Sequence, residues 1–366
     1  MTEHNQTPLS LTQLSLIQLG WNNFFQQQVA IDDDSIPARV IRQDLGRYQL
    51  MSEQGAMVGI LQGKARLESS KADLPTVGDW VLVKEQEQGD EYIIQAMLER
   101  ATKFSRKQAG EKFYEQVVAA NIDTVFIVTG LDDNFNVQRI ERYLFLCNTS
   151  GALPVIILNK ADVCDDRDRF LDEIHDVASG TPVHVISALN EDGLQSLQAY
   201  ISEGTTVAVL GSSGVGKSTL INALLGYDHF KTGAVRDTDS RGRHTTTHRE
   251  LCPIPGGGLI IDTPGMRELQ IWSEEQYLAT TFEDVDELAT RCKFSDCQHR
   301  SEPGCAIQAA IKSETLSAER WASYGKYLSE LALLAEQQSI NAKLQKKASN
   351  KKFTKSIRYR PNQRDD

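Results

Sequence analysis

A chain of 366 residues, 40% of them hydrophobic, is long enough for two or three separately cored domains, and no run in it approaches the ~18 apolar residues of a membrane span. Its net charge of −11 speaks against an extended nucleic-acid surface, except that residues 341–366 carry nine Lys and Arg against two Asp, a net of +7 that leaves −18 for the rest. The N-terminus lacks a basic flank ahead of an apolar block, so no secretory signal is read, a cytoplasmic protein is expected, and its six cysteines should serve as thiols or metal ligands.

Residues 1–34 are polar and rich in Gln, ending in Asp32-Asp33-Asp34, and are expected to form an arm with one helix around Leu14–Phe25. From residue 35 to about 101 the pattern changes to short β-like runs, "ARVIRQ", "YQLM", "AMVGIL", "KARLE", "DWVLVKE" and "EYIIQAML", parted by turn residues. So many strands in so few residues predict a small barrel, of which the OB-fold is the commonest that serves nucleic acids. Over 102–272 strands alternate with helical patterns, as in a parallel α/β sheet. "IDTVFIVT", "PVIILN", "PVHVIS" and "TVAVLG" read as strands, and "NVQRIERYLFLCNTSG" as a helix ended by Gly151. Residues 273–340 lose the β pattern and contain "SAERWASYGKYLSELALLAEQ", in which Trp321, Tyr324, Leu328, Leu331 and Leu334 share one helical face and predict core packing. The basic tail, 341–366, closes the chain.

Gly211-Ser212-Ser213-Gly214-Val215-Gly216-Lys217-Ser218-Thr219 follows a strand and opens a helix, the context of a phosphate-binding loop. Glycines let successive N–H groups turn toward phosphates, the helix N-terminus adds positive potential, Lys217 reaches the β and γ oxygens, and Ser218 can ligate Mg²⁺. Such a loop does not choose between ATP and GTP. Asn159-Lys160-Ala161-Asp162 does, because the Asp162 carboxylate can accept from guanine N1–H and N2–H₂, groups that adenine lacks. Asn159 can face the other edge of the purine while the Lys160 stem covers the ring. Ser187-Ala188-Leu189 fits the supporting loop, with the Ala188 N–H available to guanine O6.

Asp262-Thr263-Pro264-Gly265 supplies a strand-end carboxylate for Mg²⁺, through water, and a Gly N–H for the γ-phosphate. In the polar loop "RGRHTTTH" (241–248) one threonine should complete the Mg²⁺ shell; Thr246 is favoured over Thr245 and Thr247. Met266 stands where many GTPases place a water-orienting Gln, and Met has no group for that task. His244 is the nearest candidate to position the attacking water, its other reading being an exposed loop histidine. Arg241 and Arg243 could stabilise γ-phosphate charge or bind RNA. Cys292, Cys297, His299 and Cys305 offer three thiolates and an imidazole within fourteen residues, a set that fills a tetrahedral, structural Zn²⁺ site.

These motifs together resemble the bacterial circularly permuted GTPases of late small-ribosomal-subunit maturation, the RsgA/YjeQ type. The resemblance runs from about Arg39 to the C-terminal helix and includes "RVIRQDLGRYQLM", "VGDWVLV", "FSRK", "ANIDTVFIVT", Ile140-Glu141-Arg142-Tyr143-Leu144, "NKAD", "GSSGVGKST", "GRHTTT", "DTPGMRE" and the Cys-Cys-His-Cys knuckle. It implies an N-terminal OB-fold, a central P-loop GTPase domain and a C-terminal zinc domain. It also implies binding to the 30S subunit and 16S rRNA, and GTP hydrolysis to GDP stimulated by that subunit and followed by release. The family's missing Gln and its switch-loop histidine match Met266 and His244. No membrane is expected as a partner, and a monomer suffices. Two other functions use the same residues differently: an RNA-binding scaffold that holds GTP with negligible turnover, and a P-loop ATPase or kinase, which Asp162 opposes.

The order guanine loop, SA loop, phosphate loop, switch threonines, DTPG is the ordinary GTPase order begun at another point. "GLQSLQAYIS" is the helix that usually ends such a domain, and "EGTT" joins it to the strand that usually begins it. The chain then runs from DTPG straight into the cysteine-containing segment. That continuity should couple nucleotide state to the metal knuckle, so hydrogen exchange of residues 266–310 is expected to differ between GDP-bound and GTP-analogue-bound protein. Identical exchange would count against coupling.

Overall fold

The computed structural model describes residues 14–30, 34–44, 46–61, 73–86, 89–107, 115–175, 177–178, 180–229, 249–262, 282–294, 296–326 and, further on, 328, 329, 332, 333 and 336. Two compact units divide the chain, one of Met1–Arg106 with Glu115–Gln270 and one of Lys107–Tyr114 with Ile271–Asp366. No helix among the described residues is long and apolar enough to cross a membrane.

In the first unit, β1 (Ile36–Gln43), β2 (Arg47–Ser52), β3 (Gly55–Leu61), β4 (Trp80–Glu85) and β5 (Glu91–Met97) close into a barrel. All its pairings are antiparallel except β3 with β5, and β4 returns to β1, which is the Greek-key closure of an OB-fold. Ala38, Val40, Tyr48, Leu50, Met57, Val81, Val83 and Ile94 fill its interior, the larger of them contributing about 1.5–3 kcal/mol each by leaving water. The expected strand "KARLE" lies outside the described residues.

Alternation puts Arg39 on the opposite face of β1 from Val40, yet Arg39 is also buried, at 1% exposure. Its guanidinium donates to three backbone carbonyls, those of Gly78 (3.2 Å), Asn121 (2.9 Å) and Leu19. Burial lowers its pKa to about 10, against the opposing pull of Asp123 and Asp79. The Leu19 bond ties the segment around Leu19 to β1. Leu19 and Phe25 are buried, and the Trp21 ring meets Trp80 edge-on at 4.8 Å. Residues 14–30 therefore pack against the barrel. Instead of a helix around Leu14–Phe25 they form turns and a single four-residue helix, α1 (Asn23–Gln26), capped by the Asn22 side chain. A two-stranded sheet of β6 (Lys103–Lys107) and β7 (Glu115–Ala120), absent from the sequence reading, follows the barrel.

Beyond the barrel, β8 (Thr124–Gly130), β9 (Leu153–Asn159), β10 (Val183–Val185), β11 (Thr206–Leu210), β12 (Glu250–Pro253) and β13 (Leu259–Asp262) lie in the order β10-β9-β8-β11-β13-β12. All neighbours are parallel except β12 with β13. Strand β12 also meets β1 through the pair Arg42–Glu250, joining barrel and sheet. β8 and β11 are buried along their whole length, as parallel strands covered on both faces must be. Helix α2 (Val137–Ser150) is capped by Asn136 and stops at Gly151, whose φ of +84° a residue with a Cβ adopts only with strain. Helices α3 (Arg167–Ile174) and α4 (Lys217–Leu225) complete the pattern. "GLQSLQAYIS" forms a 3-10 helix over Leu194–Tyr200.

The second unit contains α5 (Glu283–Thr290), α6 (Ala306–Lys312) and a further helical stretch, 318–326. Of the expected apolar stripe, Trp321 and Tyr324 do pack. Their rings stack 5.6 Å apart, Tyr324 meets the buried Phe282, and its hydroxyl donates to Asp286. Leu328 is instead 41% exposed, and Leu331 and Leu334 lie outside the described residues.

Candidate nucleotide and metal sites

The loops after β8, β9, β10 and β11 leave the carboxyl edge of the parallel strands, where β13 also ends and where open α/β sheets place their ligands. This topology gathers residues from 131 to 262 although their motifs occur in a permuted order.

Asn159, the last residue of β9, is the hub. Its side chain is buried; Nδ2 donates to the Val215 carbonyl of the phosphate loop (2.8 Å), and Oδ1 accepts from the Ala188 N–H (2.9 Å). The N–H expected to meet guanine O6 thus already serves Asn159, and a bound base would have to share or displace that bond. Gly216 shows how close the loops run. At φ +94°, a Cβ there would come within 2.3 Å of Asn159 Nδ2. Asn159→Ala leaves the Val215 carbonyl and Ala188 N–H without this partner, so it is expected to lower unfolding stability by about 1–3 kcal/mol and to weaken GTP binding. Urea unfolding and GTP titration measure both, and an unchanged urea midpoint would remove Asn159 from this role.

Asp162 sits just beyond, exposed, with one carboxylate oxygen accepting from Ser187 Oγ at 2.6 Å. Lys160 occupies the left-handed region (φ +69°) and pairs through Nζ with Asp132 at 2.7 Å. Asp132 and Asn134 belong to a loop, 131–136, that carries no sequence motif. Asn134 donates to the Ser213 carbonyl (2.9 Å) and accepts from Ser212 Oγ (3.3 Å) and the Arg139 guanidinium (2.8 Å). The clue available was position: the polar run "LDDNFN" directly follows a fully buried parallel strand.

Gly211, Ser212, Ser213, Gly214, Val215 and Gly216 span from β11 to α4, which begins at Lys217. Lys217 Nζ folds back onto the Ser212 carbonyl at 2.5 Å, while Ser218 is exposed at the helix N-terminus and Thr219 is half-buried one residue on. The exposed Ser218 hydroxyl at a helix start is a geometry that suits Mg²⁺ carried by phosphates. Of Asp262 only the backbone is described, at the end of β13 and paired with Glu250. His244, Thr245, Thr246, Thr247, Gly265, Met266, Arg241 and Arg243 lie outside the described residues.

In the second unit, Cys292, Cys297, His299 and Cys305 converge, with their ligand atoms all within 4.8 Å of one another. His299 Nδ1 is 3.4 Å from Cys292 Sγ and 3.5 Å from Cys305 Sγ, and the two sulfurs are 4.0 Å apart. Zn–S and Zn–N bonds in a tetrahedron give edges of about 3.6 Å for N–S and about 3.8 Å for S–S, so the four residues fit that ion. Backbone N–H groups of Ala306 and Gln308 point at Cys292 and Cys305, and the Gln308 side chain fixes the His299 carbonyl. Glu302 braces the loop between His299 and Cys305. Its carboxylate accepts from the N–H groups of Gln298, Arg300 and Ser301, and such bonds, its own N–H foremost, hold its pKa near 2. Cys147, by contrast, is buried on α2, where burial pushes its thiol pKa up and leaves it inert.

A model of the RsgA GTPase family matches residues 97–272. The small ribosomal subunit biogenesis GTPase RsgA 2 of Vibrio parahaemolyticus is 44% identical over 341 residues, 92% of this chain and 92% of that protein. Among solved structures, YjeQ from Thermotoga maritima is similar with a TM-score of 0.60 and 27% identity, over 81% of this chain and 99% of its own. YloQ, described as a circularly permuted GTPase, shares the fold with a TM-score of 0.57 and 24% identity, over 83% of this chain and 97% of its own.

Proposed function

This chain belongs to the RsgA GTPase family, and on that premise we propose that it binds the small (30S) ribosomal subunit and 16S rRNA during late maturation. There it hydrolyses GTP when the subunit stimulates it and leaves once GDP has formed. The observation that carries the guanine-nucleotide part is the Asn159 side chain, which fastens the phosphate loop to the Ala188 loop beside Asp162. One buried amide thereby fixes the distance between the place that holds phosphates and the place that reads the base.

In this reading the glycine-rich loop, Lys217 and Ser218 hold the phosphates and Mg²⁺, with Thr246 and Asp262 completing the metal shell and Gly265 sensing the γ-phosphate. His244 positions the attacking water. Cys292, Cys297, His299 and Cys305 hold one structural Zn²⁺, which supplies folding free energy to a segment with little apolar surface. The barrel, the zinc-bearing unit and the basic tail meet rRNA. The protein works in the cytoplasm as a monomer.

A GTPase assay with and without purified 30S subunits tests the proposal. Turnover is expected to rise when subunits are added. Single-turnover hydrolysis by His244→Ala is expected to fall on the order of 10²-fold with GTP affinity unchanged. Turnover indifferent to the subunit would leave a GTP-holding scaffold as the better account, and an unaltered His244→Ala rate would remove that histidine from catalysis.

A further inference from the structure

Strand β12 presents Glu250 and Cys252 two residues apart, on one face. Opposite them stands His229, four residues beyond the end of α4. Its Nε2 lies 3.7 Å from Cys252 Sγ, and the ligand atoms of His229, Glu250 and Cys252 are all within 4.8 Å of one another. The N–S edge of a zinc tetrahedron is about 3.6 Å, and the two N–S edges of the Cys-Cys-His-Cys knuckle are 3.4 and 3.5 Å. The His229–Cys252 spacing therefore suits a shared ion. The Glu250 carboxylate converges on the same point as the thiol and the imidazole.

The position of His229 is set from its backbone and its ring. Its N–H donates to Asn222 Oδ1 at 3.1 Å, and its ring meets Tyr227 edge-on at 5.8 Å. Cys252 is buried among the apolar residues beneath the sheet, whereas His229 and Glu250 are half-buried. A soft, an intermediate and a hard donor thus meet at the boundary between core and solvent.

We propose that His229, Glu250 and Cys252 form a second metal site for a thiophilic divalent cation, Zn²⁺ by donor set, with water in the fourth position. The ion ties the end of α4, the helix that opens at Lys217, to β12, whose neighbour β13 ends at Asp262. With three protein ligands and one open position the site exchanges its metal more readily than the closed knuckle.

Cobalt titration of the full-length protein, reduced and stripped by a chelator, tests this. The wild-type protein is expected to take up two equivalents of Co²⁺. One carries the thiolate-to-cobalt absorption of three sulfurs, and the other about one third of that, because the second site has a single cysteine. Glu250→Gln and Cys252→Ser should each lose the weaker step alone, while Cys297→Ser should disrupt the stronger and leave the weaker. Glu250 is half-buried and its replacement nearly isosteric, so this variant decides the matter even if Cys252→Ser fails to fold. Wild-type uptake that stops at one equivalent with three-sulfur intensity overturns the proposal. So does a weaker step that persists unchanged in Glu250→Gln.

Discussion

Asp162→Asn is expected to weaken GTP binding by about two to four orders of magnitude and to give the protein an affinity for XTP that it otherwise lacks. In the guanine-reading geometry the carboxylate accepts two hydrogen bonds from the base, and bonds to a charged acceptor are worth about 1.5–3 kcal/mol each. The structure leaves this carboxylate exposed at the loop, steadied through one oxygen by Ser187 Oγ at 2.6 Å. An amide in its place turns an N–H₂ group toward the guanine N2–H₂, donor against donor, whereas the 2-oxo group of xanthine can accept from it. The Ser187 hydroxyl rotates to suit either side chain, so the exchange should be local. Nucleotide exchange measured with GTP, ATP and XTP reads the result directly. Equal binding of ATP and GTP by the natural protein would falsify the guanine assignment.

Removing the proposed zinc from the second unit should have the larger structural consequence. Cys305 is buried, touches Cys292 and His299, and caps α6 by accepting from the Gln308 N–H. The His299 ring lies edge-on to Trp321 at 5.5 Å, and Trp321 stacks on Tyr324, which meets Phe282. Among the described residues the ligand cluster thus leads through His299 into the packed rings of Trp321, Tyr324 and Phe282. Structural zinc supplies about 10–16 kcal/mol in finger peptides, more than the total stability of many domains. Cys305→Ser, or chelation, is therefore expected to expose the amides of residues 292–326 to exchange. Nucleotide binding by the first unit should survive, because the Asn159 bonds that hold its loops lie within that unit. Unchanged protection after chelation, with metal loss verified, would show that packing alone suffices.

Much of this was legible in the linear sequence because it rests on short-range chemistry. A phosphate loop is a local device in which glycines, a lysine and a helix start lie within nine residues, and its context of strand and helix is equally local. Alternating runs announced the barrel, and all four candidate ligands of the knuckle fall within fourteen residues. Even the displaced position of "NKAD" could be understood from motif order, since a ring opened elsewhere keeps its neighbours. The motif chemistry led to the same family that the relatives show.

What the sequence could not specify was which side chains close the distances between these devices. Asn159 read as a group facing the purine, and only the sheet order brings it against Val215, 56 residues away. Asp132 and Asn134 carry no motif; they matter because β8 lies between β9 and β11, so that its loop reaches both Lys160 and the phosphate loop. Residues 1–34 read as a polar arm from their composition, and only the structure shows that Leu19, Trp21 and Phe25, within the described stretch 14–30, pack against the barrel where β1 buries a guanidinium that bonds the Leu19 carbonyl. His229, Glu250 and Cys252 likewise meet only where a helix end faces a strand. The sequence by itself determined the local chemistry, because backbone turns, caps and ligand spacing act over a few residues. The tertiary structure alone decided the long-range partners, because strand order and burial set which distant polar groups must satisfy one another.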